Sequence, residues 1–179
     1  MALKSTIHKL ELTVSDLDRH HYATYPLTVA RHPSETSERM MVRVLAFALF
    51  ADERLEFGKG LSTDDEPALW QKSRSGEIER WIEVGLPDER VLRRASGRAR
   101  EVVLLAYGGR AVSIWWEANR DACARLKNLR VLEVAPEISA ALGDMADRTM
   151  AVSATLQDGH LMMATDAATV QADFVTLQG

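Results

Sequence analysis

Cys123 is the only cysteine in 179 residues, so no intrachain disulfide and no thiolate-rich metal site can form. Nothing here requires an oxidising compartment. Long apolar runs are missing as well: the opening MALKSTIHKLELTV alternates polar and apolar residues and reads as neither signal peptide nor membrane span, so a cytoplasmic protein is expected. Cationic excess is absent. Lys and Arg total 22 against 26 Asp and Glu, a net charge of -4, which argues against a general electrostatic grip on nucleic acid but leaves room for a local basic patch. There is no Walker loop, GxGxxG, GxSxG or HExxH, so neither a P-loop ATPase nor a serine hydrolase has support. Repeats, low-complexity tracts and Pro/Gly/Ser linkers are also lacking, and the five prolines are scattered. With 46% hydrophobic and 27% charged residues, the chain is expected to bury a real core as one domain over 1–179.

What is present reads as alternating β and α segments. His8, Leu10, Leu12 and Val14 share one face of a period-two strand, and YATYPLTV is a second strand in which Pro26 implies an edge or bulge. Ser34 is placed to cap a helix from Pro33 to about Asp52, with Met41, Val44, Leu45, Ala48 and Leu49 as its apolar stripe and Glu38 at the head of that stripe. EIERWIEVG is a strand on which Glu79, Trp81, Glu83 and Gly85 share one face, and Ile78, Arg80, Ile82 and Val84 the other. Pro87 and Asp88 open a helix. VVLLAY is a central strand, a helix runs from Arg110 to about Leu126, and RVLEV is the next strand. Strand, helix, strand, helix, strand implies two right-handed crossovers and three parallel strands. Pro136 to Asp147 reads as helix. The turn Gln157-Asp158-Gly159 makes a hairpin of MAVSATL and HLMMA, and ATVQADFVTL supplies a final strand. The fold class is α/β, with a mixed sheet and an antiparallel layer built from strands of both termini.

The candidate chemistry is carboxylate chemistry. Glu38 on a buried helical face, the pair Asp64 and Asp65 after a glycine loop, and Glu83 near the end of a core strand are candidates for one site. Magnesium takes oxygen ligands from one or two carboxylates, completed by waters and substrate phosphates. The cation that such a site needs beside Glu83 is missing, because Gly85 has no side chain; Arg94, or Arg90, can supply it from the next helix. An arginine stays protonated and serves only electrostatically. The bland alternative is a solvated strand face at Glu83 and a solvated arginine helix paired to Glu89 and Glu101. His20 and His21, adjacent on a strand, point to opposite faces and make no metal pair; His32 before Pro33 reads as structural. Trp115 and Trp116 are expected in the core, whereas Trp70 is a candidate stacking residue.

The runs ARHPSETSERMM, ADERLEFGKGLS followed by DDEPALW, WIEVGLPDERVLRRA, SIWW and DRTMAVSATLQDG, with MALKSTIHKLEL at the start, resemble the YaeQ family of small bacterial proteins. That resemblance implies a variation on the core of the PD-(D/E)XK nucleases, here about residues 34–134, with terminal strands over about 3–29 and 149–177. Carried onto this chain, the first acid of that motif falls on Asp65 or Asp64, the second on Glu83, and the helical glutamate on Glu38. The lysine position falls on Gly85, where the motif fails, and Arg94 is the natural substitute. Two functions are therefore expected to compete. One is a magnesium-dependent nuclease or phosphodiesterase acting on DNA or RNA. The other is a non-catalytic descendant that regulates by binding nucleic acid or a protein partner, with no membrane role.

Overall fold

The computed structural model describes residues 4–59 and 65–179. By their contacts they form two compact units, Met1–Ala51 with Glu137–Asp173 and Asp52–Pro136 with Phe174–Gly179. Each unit is built on one sheet, and the whole is α/β, as expected. No helix among the described residues is long and apolar enough to cross a membrane.

In the first unit, β1 (Thr6–Asp16) buries His8, Leu10, Leu12 and Val14 and exposes the residues between them, so the period of two is realised. It pairs antiparallel with β2 (His21–Arg31), an edge strand, where Pro26 is tolerated. Helix α1 (Ser37–Leu49) starts later than Ser34 because Thr36 is its cap, its hydroxyl accepting from Arg39 N at 3.0 Å. The Ser34 hydroxyl is instead 2.7 Å from His32 Nδ1. Unbroken burial from Met40 to Ala48 makes α1 a helix enclosed on all sides rather than one with a stripe. Its partner α4 (Pro136–Asp144) ends three residues short of the expected Asp147.

Strands β8 (Thr149–Gln157), β9 (His160–Ala164) and β10 (Thr169–Ala172) complete the order β10-β9-β8-β1-β2. The β8/β9 hairpin turns at Asp158 and Gly159, with φ of 52° and 77° and Gln157 opposite His160, which is the two-residue turn with both φ positive that Asp-Gly favours. The layer is not wholly antiparallel, however: β1 and β8 run parallel. Both strands begin hairpins that turn at the same end, and Asp18 joins the turns by accepting from Asp158 N at 2.7 Å and Gly159 N at 2.9 Å.

In the second unit the order is β11-β7-β6-β5-β4-β3. Its members are β3 (Leu55–Phe57), β4 (Leu69–Lys72), β5 (Ile78–Val84), β6 (Ala99–Tyr107), β7 (Leu129–Val134) and β11 (Phe174–Gln178). Strands β5, β6 and β7 are parallel, as expected, and the crossovers are α2 (Glu89–Arg98) and α3 (Arg110–Ala124). Leu92 and Ala95 of α2 and Val112 and Cys123 of α3 bury in one cluster with Trp81, Val102, Leu104 and Val131. The single last strand expected from ATVQADFVTL is in fact two. β10 pairs with β9, and after Asp173 the chain leaves that sheet and β11 pairs antiparallel with β7.

Candidate functional site

Strand β5 sets the site because its neighbours fix which way each side chain points. Trp81 lies opposite Val102 and Glu83 opposite Leu104, on the side covered by α2 and α3. Trp81 is buried, and its indole Nε1 donates to Glu83 Oε1 at 2.9 Å. The half-buried carboxylate is thereby oriented by its neighbour on the same face. Glu79 does not share that face in the expected way. Opposite Lys72 the register skips to Ile78, so Glu79 is the extra residue of a bulge; its carboxylate accepts from Gln71 Nε2 at 3.1 Å and pairs with Arg54 at 3.0 Å. Ile78 correspondingly packs against the Trp81 cluster instead of aligning with Arg80 and Ile82.

Gly85 follows β5 with φ of 101°, and a Cβ there would meet nothing within 4 Å. The lysine position is therefore open in space but sits in backbone that L side chains avoid. Arg94 lies 3.7 Å from Asp65 Oδ1, so the structure brings these two expected site residues together. The pair is loose, with side chains 50% and 87% exposed. Arg98 donates to the Asp65 carbonyl at 3.0 Å, and its guanidinium carbon stands 5.1 Å from the centre of the Trp81 ring. Arg90 turns back to its cap residue Asp88, whose carboxyl is held below its ordinary value by hydrogen bonds from the Arg90 N–H and side chain. Arg93 pairs with Glu89 as the solvated-face reading expected, while Glu101 is taken by Arg80 and Arg130 rather than by the α2 arginines. Asp64 lies outside the described residues.

Glu38 belongs to the other unit. It is in the first turn of α1, accepts from the Ser139 hydroxyl of α4, and is approached so closely by Gly143 that a Cβ there would lie 3.2 Å from its Cα. Glu38 thus has a role in joining α1 to α4. Among the described residues no three His, Cys, Asp or Glu side chains gather as a metal-ligand group; Glu38 lies in the first unit, Asp65 and Glu83 in the second.

Sequence reasoning missed two sets of contacts. In the first unit Glu35 and Arg43 are buried and bonded in two places, Nη2 to Oε1 at 2.6 Å and Nε to Oε2 at 3.0 Å, with Arg39 also on Glu35. Burial pushes the Arg43 guanidinium down from its ordinary value, and Glu35 opposes that. The available signal was an arginine amid Met41, Val42, Val44 and Leu45. In the second unit Trp70, half-buried on β4, meets Trp81 edge to face at 5.9 Å, and Lys72 Nζ stands 3.7 Å from its ring centre. Trp115 and Trp116 are only half-buried, packed on the core and stacked on each other, with Trp115 Nε1 donating to Pro87 O at 2.8 Å.

The protein-family profile described as YaeQ protein matches residues 1–174. The chain is 46% identical over 178 residues to the uncharacterized YaeQ protein of Escherichia coli (strain K12), covering 99% of this chain and 98% of that one. It is 48% identical over 163 residues to the corresponding protein of Salmonella typhi, covering 91% and 90%. The crystal structure of the YaeQ protein from Xanthomonas axonopodis pv. citri superposes with a TM-score of 0.94 at 47% identity, covering 98% of this chain and 99% of that one. That from Pseudomonas syringae gives 0.93 at 39% identity, covering 98% and 97%.

Proposed function

The chain belongs to the YaeQ family, and from that premise we propose that its second unit is a nuclease-like core kept for binding the phosphates of nucleic acid rather than for cutting them. The observation that carries this reading is the pair Arg94 and Arg98 on one helix, beside Asp65 and over Trp81. Guanidinium groups match phosphate oxygens in bidentate geometry, and the Arg94–Asp65 contact is loose and exposed. The overall acidity does not oppose such a patch, because residues 137–173 alone carry Glu137, Asp144, Asp147, Asp158, Asp166 and Asp173 against the single base Arg148.

The competing reading is a magnesium-dependent nuclease or phosphodiesterase with Glu38, Asp65 and Glu83 as ligands and Arg94 steadying charge. In its favour stands the orientation of Glu83 by Trp81 at the end of a central strand. Two titrations separate the readings. With a labelled oligonucleotide, binding should weaken as salt rises, and Arg94→Ala and Arg98→Ala should each weaken it and lower the salt slope by about one. Magnesium alone should give no heat on titration. Heat abolished by Glu83→Gln, together with cleavage of the oligonucleotide, would overturn binding without cutting in favour of the nuclease.

A further inference from the structure

Resting on the phosphate-binding reading, we propose that Trp70 is a stacking platform for one nucleobase and that the ligand is therefore single-stranded. Trp70 and Trp81 are register partners on β4 and β5, and they divide the aromatic surface between them. Trp81 is buried at 1% exposure and spends its Nε1 on Glu83; it cannot receive a base. Trp70 is half-buried and packs nearly perpendicular to Trp81, at 86°, so its ring is braced against a buried neighbour. That is the rigid, flat apolar surface on which a base stacks at little entropic cost.

The cover on Trp70 is removable. Among the described residues the cation on it is the Lys72 ammonium, carried on an exposed side chain. A cation over an exposed ring is held weakly, whereas a stacked base both covers more of the ring and carries a phosphate to which the displaced ammonium can turn. Lys72 would thus change partner from ring to phosphate. Arg98 stands over the neighbouring Trp81 ring, which places a second cation on the aromatic pair that includes the platform. Bases of a duplex are already stacked on each other and cannot lie on an indole without being unpaired, so the arrangement selects single strands.

The test compares Trp70→Phe and Trp70→Leu, both smaller apolar replacements, of which only phenylalanine keeps an aromatic face. Fluorescence anisotropy would follow binding of labelled oligothymidylate and of a fully paired hairpin, with thermal melting to confirm that each variant folds. Expected is tight binding of oligothymidylate and weak binding of the hairpin, with Trp70→Phe close to wild type and Trp70→Leu weaker by about tenfold, the order of one lost stacked base. Equal binding of hairpin and single strand, or equal binding by the two variants, would overturn the stacking role. If binding still falls with Arg94→Ala in that case, the phosphate reading survives without the platform. If wild type binds no oligonucleotide, both fall together.

Discussion

At the scale of single residues, the largest energetic stake lies in Glu35 and Arg43. Both are nearly excluded from water and satisfy each other through two hydrogen bonds, with Arg43 also donating to Ala30 O. Burying two charges costs solvation that their attraction only repays when geometry is good, so the pair as a whole adds little, while removing one partner strands the other. Glu35→Ala is therefore expected to destabilise by about 3 to 5 kcal/mol, measured by urea denaturation. Replacing both, as Glu35→Leu with Arg43→Met, should recover most of that loss. Periodicity alone could not show the pair, because its acid lies before α1 and its base mid-helix, eight residues apart. Glu83 was legible as a carboxylate on the Trp81 face; its direct bond from the indole was not, since alternation gives a face and no rotamer.

At the scale of elements, turns and crossovers were written locally, and pairings between distant strands were not. Asp158-Gly159 specified its hairpin through two positive φ angles. Nothing in β1 or β8 specified that they would lie parallel; Asp18, reaching across from the β1/β2 turn, ties the two turns that this pairing brings together. The amides of Gly159 and Asp158 hold the Asp18 carboxyl below its ordinary value. A carboxylate depressed on folding stabilises the fold above its unfolded pKa, and that contribution disappears as pH falls through the lowered folded value. In melting curves recorded downward from pH 5, Asp18→Asn should lose less stability than wild type, and a parallel decline of the two would refute the tie. The β10/β11 division was hidden for a similar reason. ATVQADFVTL contains no turn residue beyond Asp173, and the change of partner is set by the open edge of β7. Gln178 secures that change, its Nε2 donating to the carbonyls of Cys123 at 2.8 Å, Leu129 at 3.2 Å and Leu126 at 3.3 Å. Gln178→Ala leaves those acceptors without that donor and should cost about 1 to 3 kcal/mol in urea titration.

At the scale of the whole molecule, the parallel β5-α2-β6-α3-β7 succession was legible because crossover rules leave few alternatives. The grouping of α1 with the five-stranded sheet was not, since an enclosed helix carries no mark of which sheet it covers. The same loss affects the candidate site: Asp65 and Glu83 fall in the second unit and Glu38 in the first, a division invisible in the spacing of three acids. Neither unit is a continuous stretch of chain. A fragment of residues 52–136 therefore lacks β11 and leaves β7 as a bare edge, a template for pairing with another chain. Such a fragment is expected to aggregate, and joining residues 174–179 to its end through a flexible linker should restore a soluble, monomeric species by gel filtration.

The departure of β11 from its sheet also sets a timetable. On the ribosome, the chain reaches Pro136 with β7 still unpaired on one side, then makes α4, β8, β9 and β10 for the other unit before β11 emerges. At about 5 to 20 residues per second, the wait between β7 and β11 lasts seconds, long enough for an uncovered strand to meet a neighbouring nascent chain. This protein thus presents an unpaired strand edge during synthesis, and its yield in a cell should respond to chaperones that bind nascent chains more than its thermal stability would suggest.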